Sequence, residues 1–262
     1  MEITTTFPDI NQASTNGNGT DTYKKEYTEF IDLATHDLDA PLRKLSMLVE
    51  LLSDKLGDIV EDNDVQPYIK RIETCVSDMR ETVDDLSMLS KIIGEKKKHV
   101  SCDLQSVVQH VVEELQPVIK QKKAVITVSA LPLIAGNTEQ LEKLFKNLIE
   151  NAIKFSKKDV TPCIKISSME LNGDEIKNLG LPENHYYKIE LSDNGIGFNQ
   201  EYAEKIFRPF YRLHGKSKYP GTGIGLAVCK KVVENHKGII YATSRENSGA
   251  SFVIILAQTT NL

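Results

Sequence analysis

Apolar residues recur every three or four positions from Tyr23 to about Leu56. Tyr27, Phe30, Ile31, Ala34, Leu38, Leu42, Leu45, Leu48, Val49, Leu52 and Leu56 form one stripe, which is the spacing of an amphipathic helix. Pro41 interrupts the stripe and should bend the helix by removing a backbone donor. Gly57 and the polar run GDIVEDND close it. A second stripe follows in Val65, Tyr68, Ile69, Ile72, Val76, Met79, Val83, Leu86, Leu89 and Ile93, ending at Gly94 and the run Glu95–Lys98. Two long helices joined by a short turn make an antiparallel hairpin. The stripes are too wide for one hairpin to cover. That predicts a second copy and a four-helix bundle across a dimer axis, with packing against the downstream region as the alternative.

From residue 98 onward the pattern changes. Asp103 reads as the N-cap of a helix through about Lys122. Ala124–Ser129 alternates and is β-branched, so it reads as a strand. Asn137–Phe155 is strongly amphipathic, and Cys163–Leu171 and Tyr186–Ser192 are strand-like, with the polar LNGDEIKNLGLPENH between them as a hairpin loop or small insertion. A helix follows Gly225, and strands Gly238–Ser244 and Ser251–Leu256 come last. Strands and helices mix without β-α-β alternation. The expected fold is therefore multi-domain: an all-α hairpin, then an α/β sandwich with a mixed sheet and helices on one face.

Composition narrows this further. At about 150 residues per domain, 262 residues suggest two domains. Residues 1–22 are rich in Thr, Asn, Ser and Gly and bury too little to order themselves, so they read as a disordered lead. With 37 acidic and 32 basic side chains the formal charge is −5, which gives no reason to expect nucleic acid as a partner. No stretch approaches the roughly 18 apolar residues of a membrane span, and the N-terminus lacks the basic start and apolar run of a signal peptide. Cys75, Cys102, Cys163 and Cys229 lie far apart, with no C-x-x-C pair. That argues against zinc or a disulfide framework and for a reducing, cytoplasmic location.

Four segments carry candidate chemistry. Asp193-Asn194-Gly195-Ile196-Gly197-Phe198 follows an apolar strand, so a carboxylate at a strand end meets two glycines where backbone can approach a flat ligand. Asp193 can accept from an exocyclic amine. Gly221-Thr222-Gly223-Ile224-Gly225-Leu226 runs straight into a helix, presenting N–H groups and a positive dipole end to phosphate. Its G-x-G-x-G spacing after a polar segment does not fit a Rossmann turn, and Gly215-Lys216-Ser217 is no Walker loop because position 210 is Phe. In the helix LEKLFKNLIENAIKFS, Asn147, Glu150, Asn151 and Lys154 share one broad face, opposite Leu144, Phe145, Leu148, Ile149 and Ile153. Asn carbonyls suit a hard cation, as triphosphate oxygens do. Finally, His36-Asp37 sits just before Pro41 in the first long helix. Each segment alone is compatible with an ordinary turn, polar face or helical histidine.

Taken in order, these segments resemble the catalytic core of a bacterial two-component sensor histidine kinase. FIDLATHDLDAPLR is similar to its H-box, NLIENAIKFS to its N-box, DNGIGF and GTGIGL to its two glycine boxes, and IFRPFYR to its F-box. The resemblance covers about residues 23–258. It implies a dimerisation and histidine-phosphotransfer hairpin at 23–97 and an ATP-binding domain of the Bergerat type at 98–262, with an ATP lid near 199–220. It implies that His36 receives a phosphoryl group from MgATP, with Asp37 fixing the imidazole tautomer, and passes it to the receiver domain of a response regulator. Asp193 would hold the adenine amine, with Ser251 as a partner through water, and Asn151 would coordinate Mg²⁺. Asn147 and Lys154 would lie near the phosphates, Gly195, Gly197, Phe198, Gly221, Thr222, Gly223, Gly225 and Leu226 would belong to the ATP site, Arg212, Lys216 and Lys218 would reach the γ-phosphate, and Phe207 and Phe210 would anchor the lid. Ala40 departs from the Thr or Asn frequent four residues after the phosphoacceptor, which puts phosphatase action in doubt. HDLxxPLR is similar to the variant of phytochrome-type kinases. A gyrase-type ATPase and a non-catalytic dimeric scaffold are the competing readings; the upstream hairpin with His36 argues against the first, and the retained polar residues against the second.

Overall fold

The computed structural model describes residues 38, 42–52, 66–94, 100–215, 219 and 221–258. The expected lead at 1–22, His36, Asp37, Ala40, Pro41, the run Lys96–Lys98, Lys216 and Lys218 lie outside the described residues. Helix α1 spans 42–52 and α2 spans Gln66–Gly94. Next come β1 (Val100–Asp103), α3 (Leu104–Glu114), α4 (Gln116–Lys122), β2 (Val125–Val128), β3 (Leu133–Gly136) and α5 (Thr138–Lys154). Then follow β4 (Cys163–Glu170), α6 (Gly173–Asn178), β5 (Tyr186–Asp193), α7 (Gly225–Asn235), β6 (Ile239–Ser244) and β7 (Ala250–Ala257). Two short 3₁₀ turns, Gln200–Tyr202 and Lys205–Phe207, lie between β5 and α7.

The main sheet has the order β2-β4-β5-β7-β6. Only β2 and β4 run parallel, and every other neighbouring pair is antiparallel, so the sheet is mixed as expected. Alternation sends Ile189, Leu191, Phe252, Ile254 and Ala242 to the face covered by α3, α5 and α7. Their neighbours Ile255, Ile239 and Tyr241 point the other way and meet Ile176, Leu179 and Leu181. The segment read as a polar loop thus folds as α6 and covers one end of the second face. A capping box, with Asn172 and Glu175 each bonding the other's backbone N–H, starts that helix. Covered on both faces, β7 reads as a continuous apolar run instead of alternating.

Local chemistry sets the helix ends. The Asp103 carboxylate accepts from the N–H of Gln105 and the hydroxyl of Ser106, as an N-cap should. The helix expected to reach Lys122 breaks at Leu115, because Pro117 has no N–H to give to the preceding turn and so starts α4 instead. Asn137 caps α5 through the N–H of Gln140, and its own N–H donates to Nε2 of the buried His236 at the end of α7. The sequence reading missed β1 and β3, four residues each, which form a separate antiparallel ribbon.

The hairpin stripe divides. Leu42, Val49, Ile69, Val76 and Val83 are buried, whereas Leu45, Leu48, Leu51, Leu52, Tyr68, Ile72 and Met79 are exposed. Farther along α2, Leu89 and Ile92 enter the main α/β core, and α2 packs along α7. Among the described residues no helix is long and apolar enough to cross a membrane.

Phe145 on α5 is wholly buried, so Phe145→Ala is expected to cost about 3–5 kcal/mol. Val100→Ala, at a position 53% exposed, should cost less than about 0.5 kcal/mol. Denaturant unfolding of both variants checks the contrast, and equal losses would contradict this core.

Candidate functional site

Helix α5 is split lengthwise. Leu141, Leu144, Phe145, Leu148, Ile149, Ala152 and Ile153 are buried, while Asn147, Glu150, Asn151 and Lys154 share the less buried face. That face meets the loop leading into α7. A Cβ at Gly225 would stand 3.1 Å from Asn147 Oδ1, and one at Gly221 would stand 2.6 Å from Lys154 Nζ. Asn147 Nδ2 is buried without a hydrogen-bond partner among the described residues. A buried amide donor without an acceptor costs about 1–3 kcal/mol, so this one calls for a ligand oxygen. Thr222 lies at the loop's centre, where its hydroxyl accepts from the N–H of Ile224. Leu226 packs against the main core.

The strand-end turn closes on α5 from the other side. The N–H of Ile196 donates to the carbonyl of Phe155 at 2.9 Å. Asp193 Oδ1 accepts from the N–H groups of Gly195 and Ala250 at 2.8 and 3.3 Å, which leaves Oδ2 for a ligand's donor. Gly197 has φ +60, and a Cβ there would come within 2.1 Å of the Arg245 carbonyl. A Cβ at Gly195 would come within 2.6 Å of the Phe155 carbonyl. Both glycines therefore admit neighbouring backbone, a use the sequence reading, which assigned the space to a flat ligand, did not foresee. Phe198 packs against the core, and its N–H donates to Ser244 Oγ.

A cleft of about 340 Å³ opens beside Asp193, lined by Gln200, Arg245, Ser248, Ala250 and Ser251 among others. Ser251 thus shares a cleft with Asp193, although it sits on the opposite face of β7 from the core residue Phe252. The group of β7 that bonds the carboxylate is the backbone N–H of Ala250.

The expected lid is fixed at its start. Gln200 bonds the carbonyl of Ala242 and the N–H of Ser244, stapling residues near 200 to the edge of β6. Phe207 is buried and stands edge-on to Phe252, as an anchor should. Phe210 does not anchor: it is 54% exposed, with φ +63 and its N–H donating to the Gly223 carbonyl. The Arg212 guanidinium donates to the Tyr219 carbonyl. The rings of His214 and Tyr219 gather on Phe155, at 6.4 and 4.9 Å between centroids. Phe155 was not singled out from sequence; its place at the end of the polar helix face was the available signal.

Charge is arranged to suit an anion. Burial depresses the Lys154 ammonium, and the Arg212 cation depresses it further, against Glu81 and Glu150. Burial pushes the Asp193 carboxyl up, against its two backbone N–H bonds and Lys157. Two cations held together beside an unpartnered amide donor fit a polyanion, and a buried acceptor at the other end fits a planar amine. Asn151 shares this face with Asn147 and Glu150, and their side-chain oxygens are of the kind that suits a hard cation. The structure thus sets Asn147 and Lys154 against the 221–225 loop and Asp193 beside Ala250 and Ser251, the two groups linked through the Phe155–Ile196 bond, while His36, Asp37 and Lys216 lie outside the described residues.

Two family models match the chain. One is the His Kinase A (phospho-acceptor) domain over residues 26–95, and the other the Histidine kinase-, DNA gyrase B-, and HSP90-like ATPase over 136–260. Phytochrome-like protein Cph1 of Synechocystis sp. is 34% identical over 224 residues, covering 86% of this chain and 28% of that protein. Sensor protein kinase WalK of Staphylococcus haemolyticus is 27% identical over 241 residues, covering 89% of this chain and 37% of that protein. The chain therefore spans about a third of the length of these relatives. The crystal structure of full-length ShkA in complex with AMPPNP shares the fold, with a TM-score of 0.64 at 18% identity over 89% of this chain and 47% of that one.

The raised Asp193 carboxyl sets a sign for pH dependence. A folded state that holds a proton more tightly than the unfolded chain loses stability as pH rises from the ordinary value, about 4, through the raised one. Asp193→Asn removes that loss, so the variant should gain on the parent between pH 4 and pH 7. Denaturant unfolding at both values measures it. A variant that instead falls behind the parent over this window would show that Asp193 is not destabilised by burial.

Proposed function

We propose, from the premise that this chain belongs to the sensor histidine kinases and carries their catalytic core, that it phosphorylates its own His36 from ATP and relays the group to an aspartate of a response regulator receiver domain. The observation that carries this reading is the meeting of α5 with the 221–225 loop. There an orphaned Asn147 amide, the Lys154 ammonium and a helix N-terminus converge on one place.

Asp193 Oδ2 would take the adenine amine. Asn147, Lys154, Thr222 and Arg212 would face the phosphates, and Asn151 would hold Mg²⁺, which supplies charge neutralisation on the phosphate oxygens. Phosphoryl transfer depends chiefly on positioning and charge, and this site offers both without a protein nucleophile of its own. The nucleophile is the neutral imidazole of His36. It forms a bond to the terminal phosphorus as the bond to the bridging oxygen breaks and ADP leaves. Asp37 accepts the hydrogen bond of the other ring nitrogen and stabilises the imidazolium that forms.

The division at 23–97 and 98–262 belongs to this reading, with an ATP lid near 199–220 that is stapled to β6 at Gln200. The exposed apolar residues of α1 and α2 support a homodimer through the hairpin. Four free cysteines are in keeping with the reducing cytoplasm, where ATP is also available.

Labelling with γ-labelled ATP tests the proposal. The parent should acquire acid-labile, alkali-stable label. His36→Gln should acquire none while binding nucleotide as the parent does, and Asn151→Asp should acquire none. Mixed His36→Gln and Asn151→Asp subunits regain label if transfer crosses the dimer. Label on His36→Gln, or phosphate release by a parent that never labels itself, would overturn the assignment in favour of another site or a gyrase-type ATPase.

A further inference from the structure

The C-terminal half of α2 reaches the groups that the nucleotide reading assigns to phosphate. The Thr222 hydroxyl donates to the Asp85 carboxylate at 2.5 Å. A hydroxyl has one proton to give, so while it serves Asp85 it cannot serve a phosphate oxygen. Glu81 lies one turn back on the same helical face and bears on the Lys154 ammonium. Asp85 in turn helps to push the Glu150 carboxyl up, after the loss of water around it and alongside Glu114. One hairpin carboxylate, Asp85, is thus bonded to Thr222 at the N-terminal end of α7, and a second, Glu81, adds its field one turn back.

The same helix is fixed to the nucleotide domain elsewhere by neutral contacts. Leu89 and Ile92 are buried in the core, and the Asn235 amide donates to the Ile92 carbonyl at 2.6 Å. Ile92 lies seven residues beyond Asp85, or roughly 10 Å along the axis. A pivot of uncharged contacts and a charged contact one or two turns away can be separated: the second can open while the first holds.

We propose that Asp85 is a carboxylate clamp by which the docked hairpin competes with the phosphates of the nucleotide for Thr222, with the field of Glu81 adding to it. Docking of α2 then weakens nucleotide binding, and nucleotide binding loosens the upper contact of α2, by the same factor in both directions. The inference rests on the reading of 221–225 as a phosphate loop. It adds that the hairpin itself sets the affinity of that loop.

The test uses the full chain and a fluorescent ATP analogue with Mg²⁺. Asp85→Asn keeps the side-chain shape and removes the charge, and it should tighten binding about fivefold or more. Asp84→Asn removes the same charge from an exposed neighbour and should change affinity less than about twofold, since exposed charges are screened. Glu81→Gln should fall between them. In the unsubstituted chain, hydrogen exchange of α2 around residues 81–88 should quicken when nucleotide is added, while the segment around Ile92 stays protected. Equal effects at positions 84 and 85 would reveal only a general field and overturn the clamp. So would unchanged or weaker binding by Asp85→Asn, or unchanged exchange at 81–88. A chain that binds no nucleotide in any form would remove the ATP reading itself, a failure distinct from the loss of the clamp alone.

Discussion

A helix leaves its last carbonyls without partners of its own. At the end of α5 the Phe155 carbonyl is met by the N–H of Ile196, and the lack of a side chain at Gly195 lets the two segments close. Everything in the site is placed from this junction. Asn147, Asn151 and Lys154 follow from it backwards along the helix, and Asp193 stands two residues before Gly195, held by Oδ1. The turn is clamped from its far side as well, because Gly197 fits against the Arg245 and Gly249 carbonyls. One end of the site, a buried acceptor, and the other, a cluster of donors and cations, are thereby tied together through this junction.

The two faces of α5 work against each other energetically. Each of its large buried side chains contributes about 1.5–3 kcal/mol of apolar burial, and this anchors the helix between the sheet and its neighbours α3 and α7. The other face lowers stability: Asn147 Nδ2 has no acceptor among the described residues, and Lys154 is both desolvated and repelled by Arg212. Unmet donors and adjacent like charges are tolerated because the apolar face holds the helix regardless. What the site leaves unsatisfied is what an anionic ligand brings.

Elements with strong periodicity were legible: α5, α7, β4, β5 and β7, and the order of motifs that binds them to one site. The misses have local causes. Strands β1 and β3 are too short to show a period of two, and their pairing is long-range. The α3–α4 break was hidden because the apolar spacing continues through Leu115 and Ile119 while Pro117 falls between. Segment 172–181 was too polar to suggest a helix, yet Ile176, Leu179 and Leu181 were its apolar signal. Phe210 failed as an anchor because aromatic identity says nothing of direction: its side chain is exposed, on a backbone of positive φ. Ala250 was invisible because it acts through its N–H, which every residue but proline carries. Asp85 could not be found from sequence at all. Only the docking of α2 beside the 221–225 loop gives an ordinary helical carboxylate its partner.

Helix α2 is the element that joins the two halves of the molecule. It has 29 residues, roughly 43 Å at 1.5 Å per residue. Its last turns are built into the core through Leu89 and Ile92, and its first turns leave Tyr68, Ile72 and Met79 exposed. A rod held at one end converts a small change of angle at that end into a larger displacement at the other. The contact best placed to set the angle is the one nearest the pivot that can be made or broken at low cost. Apolar burial at Ile92 is not such a contact, because opening it exposes core. A hydroxyl–carboxylate bond at the rim is, because water can replace either partner. The geometry therefore places the adjustable contact of the hairpin at the mouth of the proposed phosphate site, where the charge of a bound nucleotide acts on it directly.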